Sequence, residues 1–240
     1  MRFSIEPWIK QYVDAVQNQF PDRIWFLGLQ GSYGRGEADE QSDIDVVLIF
    51  DTVSVGDLEA YGNMLDTLPN REKVCGFVSG KKELLAWEPS DLFQFCYDTT
   101  TLMGSLDELV SGIHEEDIRR AIRIGACNVY HTCVHNLVHE KSMEILKSLY
   151  KSAFFTLQAI AFLQTGRYEK KKADLLPLLC EDEQLVLKAG MELKVKQTLS
   201  PEEQSFYSQR LLNWASKWIC EVAYDGEIRT DHAGRFRSTS

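Results

Sequence analysis

The sequence predicts an α+β protein in which a small mixed-sheet domain precedes an all-α helical bundle. In the N-terminal half, short apolar runs typical of strands alternate with stretches whose apolar residues recur every three or four positions. Beyond about residue 110 the three-to-four spacing continues almost without interruption. We therefore predict domains at 1–110 and 111–225, with a flexible tail at 226–240, where the periodicity is lost.

Four strands are predicted in the N-terminal half. Compact apolar runs indicate three of them, at Ile24 to Leu29, Ile44 to Phe50 and Val74 to Val78. From Leu92 to Asp98, aromatic residues alternate with Gln, Cys and Asp, which predicts a fourth strand with two distinct faces. Helices are predicted before and between the strands, at residues 7–19, 57–68 and 81–87.

The C-terminal half is predicted to be entirely helical. Apolar residues at three-to-four spacing indicate helices at about 115–138, 141–165, 173–193 and 201–224. Four amphipathic helices of this length are sufficient for an antiparallel bundle.

Composition and charge narrow the class of protein. The chain has 240 residues, of which 44% are hydrophobic, and a formal net charge of -10. A strongly acidic surface repels polyanions, which argues against nucleic acid as a partner. No apolar run approaches the roughly 20 residues that span a bilayer, and the first residues lack the layout of a secretory signal, so we expect a cytoplasmic protein with no membrane partner. The six cysteines are expected to be buried thiols.

The segment that indicates chemistry reads Gly31-Ser32-Tyr33-Gly34-Arg35-Gly36 and follows the first predicted strand. Its glycines leave backbone amides uncovered, so a triphosphate could approach closely. Ten residues separate Ser32 from Asp43, and Asp45 follows at the start of the next strand. Side chains two residues apart on a strand leave the same face, so the two carboxylates converge and form an oxygen site suited to Mg²⁺.

A Gly-Ser pair, a ten-residue spacing and an Asp-x-Asp on a strand resemble the signature of the DNA polymerase β-like nucleotidyltransferase superfamily. Within it the chain is most similar to the antibiotic nucleotidyltransferases of the kanamycin type, which join a nucleotidyl domain to a helical substrate-binding domain. The resemblance implies that Gly31, Ser32 and Arg35 bind the nucleotide. It also implies that Asp43 and Asp45 are catalytic residues and hold Mg²⁺, with ATP as a substrate. For Arg35, pairing with Glu37 or Asp39 is an equally open interpretation.

One part of the superfamily pattern is missing. A third carboxylate is usual on the strand after the connecting helix, and the matching position here is Cys75, a poor ligand for Mg²⁺. Glu72, Glu83 and Asp98 are candidate substitutes. The departure puts full catalytic competence in question, whereas nucleotide binding is still expected.

A second group of residues lies in the predicted helical half. His131, His135 and His139 are spaced by four and share one helical stripe, so one could act as a general base or a pair could bind a metal. Glu140 is another candidate base, because a glutamate in the helical domain serves in the kanamycin type. The alternative is a half-exposed helix face with no chemical role.

Two functions follow from these expectations. The first is Mg²⁺-dependent transfer of a nucleoside monophosphate, AMP from ATP, to a hydroxyl of a small molecule such as an aminoglycoside-like antibiotic, as in antibiotic resistance. The second is a catalytically weakened or regulatory protein of the same fold, including an antitoxin-like one, that binds nucleotide or a partner. The partners expected are a nucleoside triphosphate and a small-molecule acceptor, and the sequence leaves the oligomeric state open, a dimer included.

Overall fold

The computed structural model describes the backbone of residues 4–234 and the side chains of residues 4–221. The chain divides into two compact units, Met1–Ile113 and His114–Ser240. The N-terminal unit is built on a sheet and the C-terminal unit is helical, so the predicted α+β class is confirmed.

The N-terminal unit contains a four-stranded mixed sheet. Its strands are β1 (Ile24–Leu29), β2 (Ile44–Phe50), β3 (Val74–Gly80) and β4 (Thr100–Met103). The spatial order is β3-β2-β1-β4, with β2 and β3 parallel and the other two pairs antiparallel. The helices are α1 (Ile5–Gln19), α2 (Gly31–Arg35), α3 (Val55–Leu65), α4 (Lys81–Leu85), α5 (Pro89–Asp98) and α6 (Asp107–Val110).

Strand β2 is buried on both faces, which explains its continuous apolar sequence. Val46, Leu48 and Phe50 pack into a cluster with residues of α1 and α3. Val47 and Ile49 pack into the opposite cluster with residues of α4, α5 and α6. The sheet is therefore the middle layer between two sets of helices, and each β2 residue belongs to one of two defined faces.

The predicted strand at Leu92 to Asp98 is wrong, because these residues form α5. Pro89 in the first turn has the φ angle and the missing N–H that a helix start tolerates. Leu92, Phe93 and Cys96 are the buried apolar residues, and their spacing is helical. The aromatic alternation arises because both sides of this helix carry rings. The fourth strand is β4, which begins two residues after Asp98.

The C-terminal unit consists of α7 (Glu115–His135), α8 (Met143–Thr165), α9 (Lys172–Leu175), α10 (Glu181–Val195) and α11 (Pro201–Gly234). A π-helical turn at Asn136–Glu140 follows α7. The single helix predicted at 173–193 is wrong: a 3₁₀ turn at Leu176–Leu178 ends α9, Leu179 is extended, and a new helix begins at Glu181. Pro177 in that turn cannot donate the next helical hydrogen bond.

Two further expectations from the sequence concern the C-terminal residues and the burial of the cysteines. Helix α11 continues to Gly234, so residues 226–234 are helical, and residues 235–240 lie outside the described part; the flexibility expected for 226–240 stays a prediction. Of the six cysteines, only Cys96 and Cys133 are buried, and the expectation of buried thiols is wrong for the other four. In the part of the chain that the structure describes, no helix is long and apolar enough to cross a membrane.

Candidate nucleotide-binding site

The site begins at the turn between β1 and α2. Gly31 has a φ of +64°, a left-handed conformation that favours glycine. The Gln30 amide donates to the Asp45 carbonyl over 2.7 Å, which fixes the turn beside the start of β2. A methyl group on Gly31 would lie 1.9 Å from Asp45 Oδ2, so the carboxylate directly covers the glycine. The Gly-Ser of the sequence pattern and the Asp-x-Asp are thus in contact.

Asp43 and Asp45 lie where β2 begins. Asp43 directly precedes the strand and is exposed, and Asp45 is its second residue and is half-buried. Since side chains alternate along a strand, both belong to the face that also carries Val47 and Ile49. The structure therefore places Asp45 against the glycine turn, with Asp43 one residue before the same strand.

Two further glycines, Gly34 and Gly36, lie in the same turn. A methyl group on Gly34 would lie 2.7 Å from the Leu29 carbonyl oxygen, so α2 packs tightly onto the end of β1. Gly36 ends α2 in a left-handed conformation, and its amide donates to Tyr33 over 3.1 Å. Partial burial of the ring raises the pKa of Tyr33, with a smaller contribution from Asp39. Tyr33 is therefore a neutral hydroxyl within the turn at ordinary pH.

Arg35 is buried and forms an ion pair with Asp98, one of the candidate substitutes for the third carboxylate. The guanidinium Nη1 lies 2.8 Å from Asp98 Oδ2, and its Nε lies 3.7 Å from Glu37 Oε2. The predicted pairing with Glu37 is thus present, but the closer acid is Asp98, the last residue of α5. No sequence signal indicated this pair, because the segment of Asp98 was predicted to be a strand.

The third-carboxylate position is occupied by a thiol. Cys75 is the register partner of Asp45 on the parallel strand β3, and it is exposed. Among the candidate substitutes, Asp98 is paired with Arg35. Glu83 lies in α4, which follows the end of β3 where Gly80 pairs with Phe50. The strand from Cys75 to Gly80 spans about five residues, or roughly 16 Å, so Glu83 is far from Cys75 along the sheet. Glu72 lies in the exposed turn before β3.

Asp43 and Asp45 are better suited to a cation that arrives with a nucleotide than to a metal site whose ligands all come from the protein. Within the described residues, no group of three or more His, Cys, Asp or Glu side chains is arranged to hold a metal ion. Mg²⁺ is commonly bound through one or two carboxylates together with substrate phosphates and water. Asp43 and Asp45 fit that arrangement, and they would hold the ion only when a triphosphate supplies the other ligands.

The histidine group belongs to the helical unit. His131 and His135 lie on α7, His139 and Glu140 lie in the π-helical turn, and all four are exposed. The rings of His135 and His139 lie 4.8 Å apart. The stripe predicted from the spacing is therefore present as an exposed surface, and its role as a base stays a prediction.

Comparison with known proteins finds a family match within the N-terminal unit. Residues 9–93 match the nucleotidyltransferase domain family, a range that begins in α1, ends in α5 and includes the glycine turn, Asp43, Asp45 and Cys75. The N-terminal unit therefore contains a region that matches a nucleotidyltransferase domain.

Two particular proteins resemble the chain. The fold is similar to that of spectinomycin adenyltransferase from Enterococcus faecialis, solved with ATP and spectinomycin, with a TM-score of 0.56 and 14% identity over 88% of this chain and 98% of that one. A candidate protein adenylyltransferase of Methanocaldococcus jannaschii is 41% identical over 46 residues, which are 19% of this chain and 46% of that protein. The first likeness concerns the fold alone, and the second spans about half the length of the relative.

Proposed function

We propose that the chain is a Mg²⁺-dependent nucleotidyltransferase that moves AMP from ATP to a hydroxyl of a small molecule, with release of pyrophosphate. The observation that supports this most directly is the contact between the Gly31 turn and the Asp45 carboxylate at the start of β2, beside Asp43. A glycine turn that admits phosphates and a carboxylate pair that holds a cation are the two groups needed to position a triphosphate.

In this proposal Ser32 and the backbone of the α2 turn bind the phosphates. Asp43 and Asp45 would hold Mg²⁺, and the bound ion would neutralise charge that develops on the phosphate oxygens. Asp45 is fixed by β2 and by its contact with Gly31, whereas Asp43 precedes the strand and is more exposed. Asp45 is therefore the better ordered of the two ligands.

The acceptor is proposed to be a small molecule with hydroxyl and amino groups, in the manner of an aminoglycoside-like antibiotic. Support comes from the similarity to spectinomycin adenyltransferase, which covers 88% of this chain and therefore extends into the helical unit. The net charge of -10 favours a cationic acceptor. The helical unit is proposed to bind the acceptor, and His131, His135 and Glu140 are the candidate general bases.

Two observations favour other outcomes. Cys75 in place of a carboxylate favours a protein that binds Mg-nucleotide with slow transfer, which would suit a regulatory or antitoxin-like role. The 46-residue match to a candidate protein adenylyltransferase favours a protein hydroxyl as the acceptor.

The test is a calorimetric titration of the protein with ATP, with and without Mg²⁺, followed by mass spectrometry of acceptors. We expect binding that requires Mg²⁺, and then a mass increase of one AMP on members of a panel of hydroxylated amines. AMP found on a protein instead would favour the protein acceptor, and binding without any transfer would favour the regulatory role. An absence of Mg²⁺-dependent binding would contradict the proposal.

A further inference from the structure

The α2 turn is connected to the junction between α5 and β4 by a set of side chains outside the Gly-Ser and Asp-x-Asp pattern. The central contact is the ion pair of Arg35 and Asp98, whose Nη1 and Oδ2 lie 2.8 Å apart. Both residues are buried, with exposed fractions of 7% for Arg35 and 5% for Asp98. Arg35 ends α2 and Asp98 ends α5, so the pair joins the two helix termini directly.

Two neutral hydrogen-bonded contacts flank the ion pair. Thr100 Oγ1 donates to the Gly34 carbonyl over 3.0 Å, and Gln30 Nε2 donates to Thr99 Oγ1 over 2.7 Å. The same Gln30 amide lies 3.3 Å from the Phe95 carbonyl. The start, the middle and the end of the turn are thus each connected to residues 95–100.

The turn requires such connections because its own sequence restrains it weakly. Three of the six residues from Gly31 to Gly36 are glycines, and glycine loses more conformational freedom on ordering than any other residue. A buried ion pair is a poor source of net stability, since the loss of hydration offsets most of the attraction, but its geometry is specific. The pair is therefore better suited to orienting a segment than to stabilising the fold.

We propose that Gln30, Arg35, Asp98, Thr99 and Thr100 form a turn clamp, a set of positioning residues that holds the α2 turn in the conformation that receives the nucleotide phosphates. This inference rests on the proposed function. It gives Arg35 a positioning role through Asp98 rather than a direct contact with phosphate. The clamp acts on nucleotide affinity through the backbone of Gly31 to Gly36.

Asp98→Asn separates the two roles of Arg35 by the sign of its effect. If Arg35 is a positioning residue, loss of the Asp98 charge releases the turn, and Mg-ATP affinity falls by roughly tenfold or more. If Arg35 instead contacts phosphate, removal of its competing carboxylate leaves the affinity unchanged or increases it, and the proposal is overturned. The measurement is calorimetric titration of the full chain with Mg-ATP.

Thr100→Val covers the case in which Asp98→Asn fails to fold, because it removes one neutral hydrogen bond and no charge. We expect affinity to fall about threefold to tenfold, with an unchanged thermal midpoint. Asp66→Asn is the matched control, because it removes the exposed ion pair with Arg71 in the same unit, at 2.9 Å, and should change affinity less than about twofold.

Amide hydrogen exchange of the unliganded protein tests the clamp independently of the proposed function. Both variants of the clamp should accelerate exchange in residues 31–36 while the strands keep the protection of the parent. The parent could fail to bind Mg-ATP while both variants still accelerate exchange in residues 31–36. That result would contradict the proposed function, and with it the link between the clamp and the nucleotide. Parent-like affinity in both folded variants, with a binding-competent parent, overturns the clamp alone.

Discussion

Asp45 and Cys75 are register partners on the parallel strands β2 and β3, so a thiol stands beside the carboxylate pair where the nucleotidyltransferase resemblance places a third acid. Neighbouring residues of a parallel pair point to the same side of the sheet. Cys75 is exposed, so a substitution there needs no repacking of the core. The position is therefore suited to a direct test of whether the missing carboxylate limits transfer.

We expect Cys75→Asp to increase AMP transfer. A carboxylate beside Asp45 would complete a three-acid set, and a group that stabilises charge in phosphoryl transfer is typically worth about 10²–10³ in rate. The measurement is single-turnover AMP transfer, with Cys75→Ser as the control that removes the thiol without adding a charge. A rate for Cys75→Asp no higher than that of Cys75→Ser would show that the thiol position does not limit the reaction.

Asp43→Ala and Asp45→Ala should each strongly weaken Mg²⁺-dependent nucleotide binding while the fold is retained. The two carboxylates repel when no cation is bound, so removal of one relieves repulsion in the free protein. Loss of a charged ligand should weaken Mg-ATP affinity by at least about tenfold, measured by calorimetry beside circular dichroism of the fold. Binding as tight as that of the parent in either variant would place the nucleotide elsewhere.

Gly31→Ala should destabilise the protein and weaken nucleotide binding together. A side chain at φ +64° costs about 1–2 kcal/mol. The new methyl carbon would also lie 1.9 Å from Asp45 Oδ2, so the carboxylate would have to move. Gly166→Ala is the matched control, because that glycine has a φ of +71° and no heavy atom within 4 Å of the added carbon. Equal effects of both substitutions on Mg-ATP affinity would contradict the role of the Gly31 contact.

Acid stability should depend on Asp57 at the start of α3. Hydrogen bonds from Arg23 and, to a smaller extent, from Ser54 lower the pKa of Asp57 to about 2. Because this folded-state pKa lies below the ordinary value near 4, the stabilisation is complete above about pH 4 and is lost as the pH falls towards 2. Urea unfolding of Asp57→Asn should therefore show a weaker pH dependence across this range than the parent does. An identical slope in the two proteins would rule out this role.

The local sequence was enough to predict three of the four sheet strands, β1, β2 and β3, and the motif of the candidate site. Ile44 to Phe50 is a continuous apolar run because β2 is buried on both faces, and such a run is visible without any knowledge of its neighbours. The expectation that Asp43 and Asp45 share a face rests on the alternation of side chains along a strand, which is a property of the strand itself. The resemblance to the nucleotidyltransferase superfamily pointed to Cys75 as the third-carboxylate position, and the register of β3 places this residue beside Asp45.

Only the tertiary structure decided which distant residues hold the turn. The segment from Leu92 to Asp98 fits both an alternating strand and a helical period, and packing of Leu92 and Cys96 into the cluster on one face of the sheet selected the helix. That choice places Asp98 at the end of α5, 2.8 Å from Arg35 across 63 positions of sequence. Local spacing determines which face a side chain takes within its own element, whereas contact between elements depends on how the core closes around them.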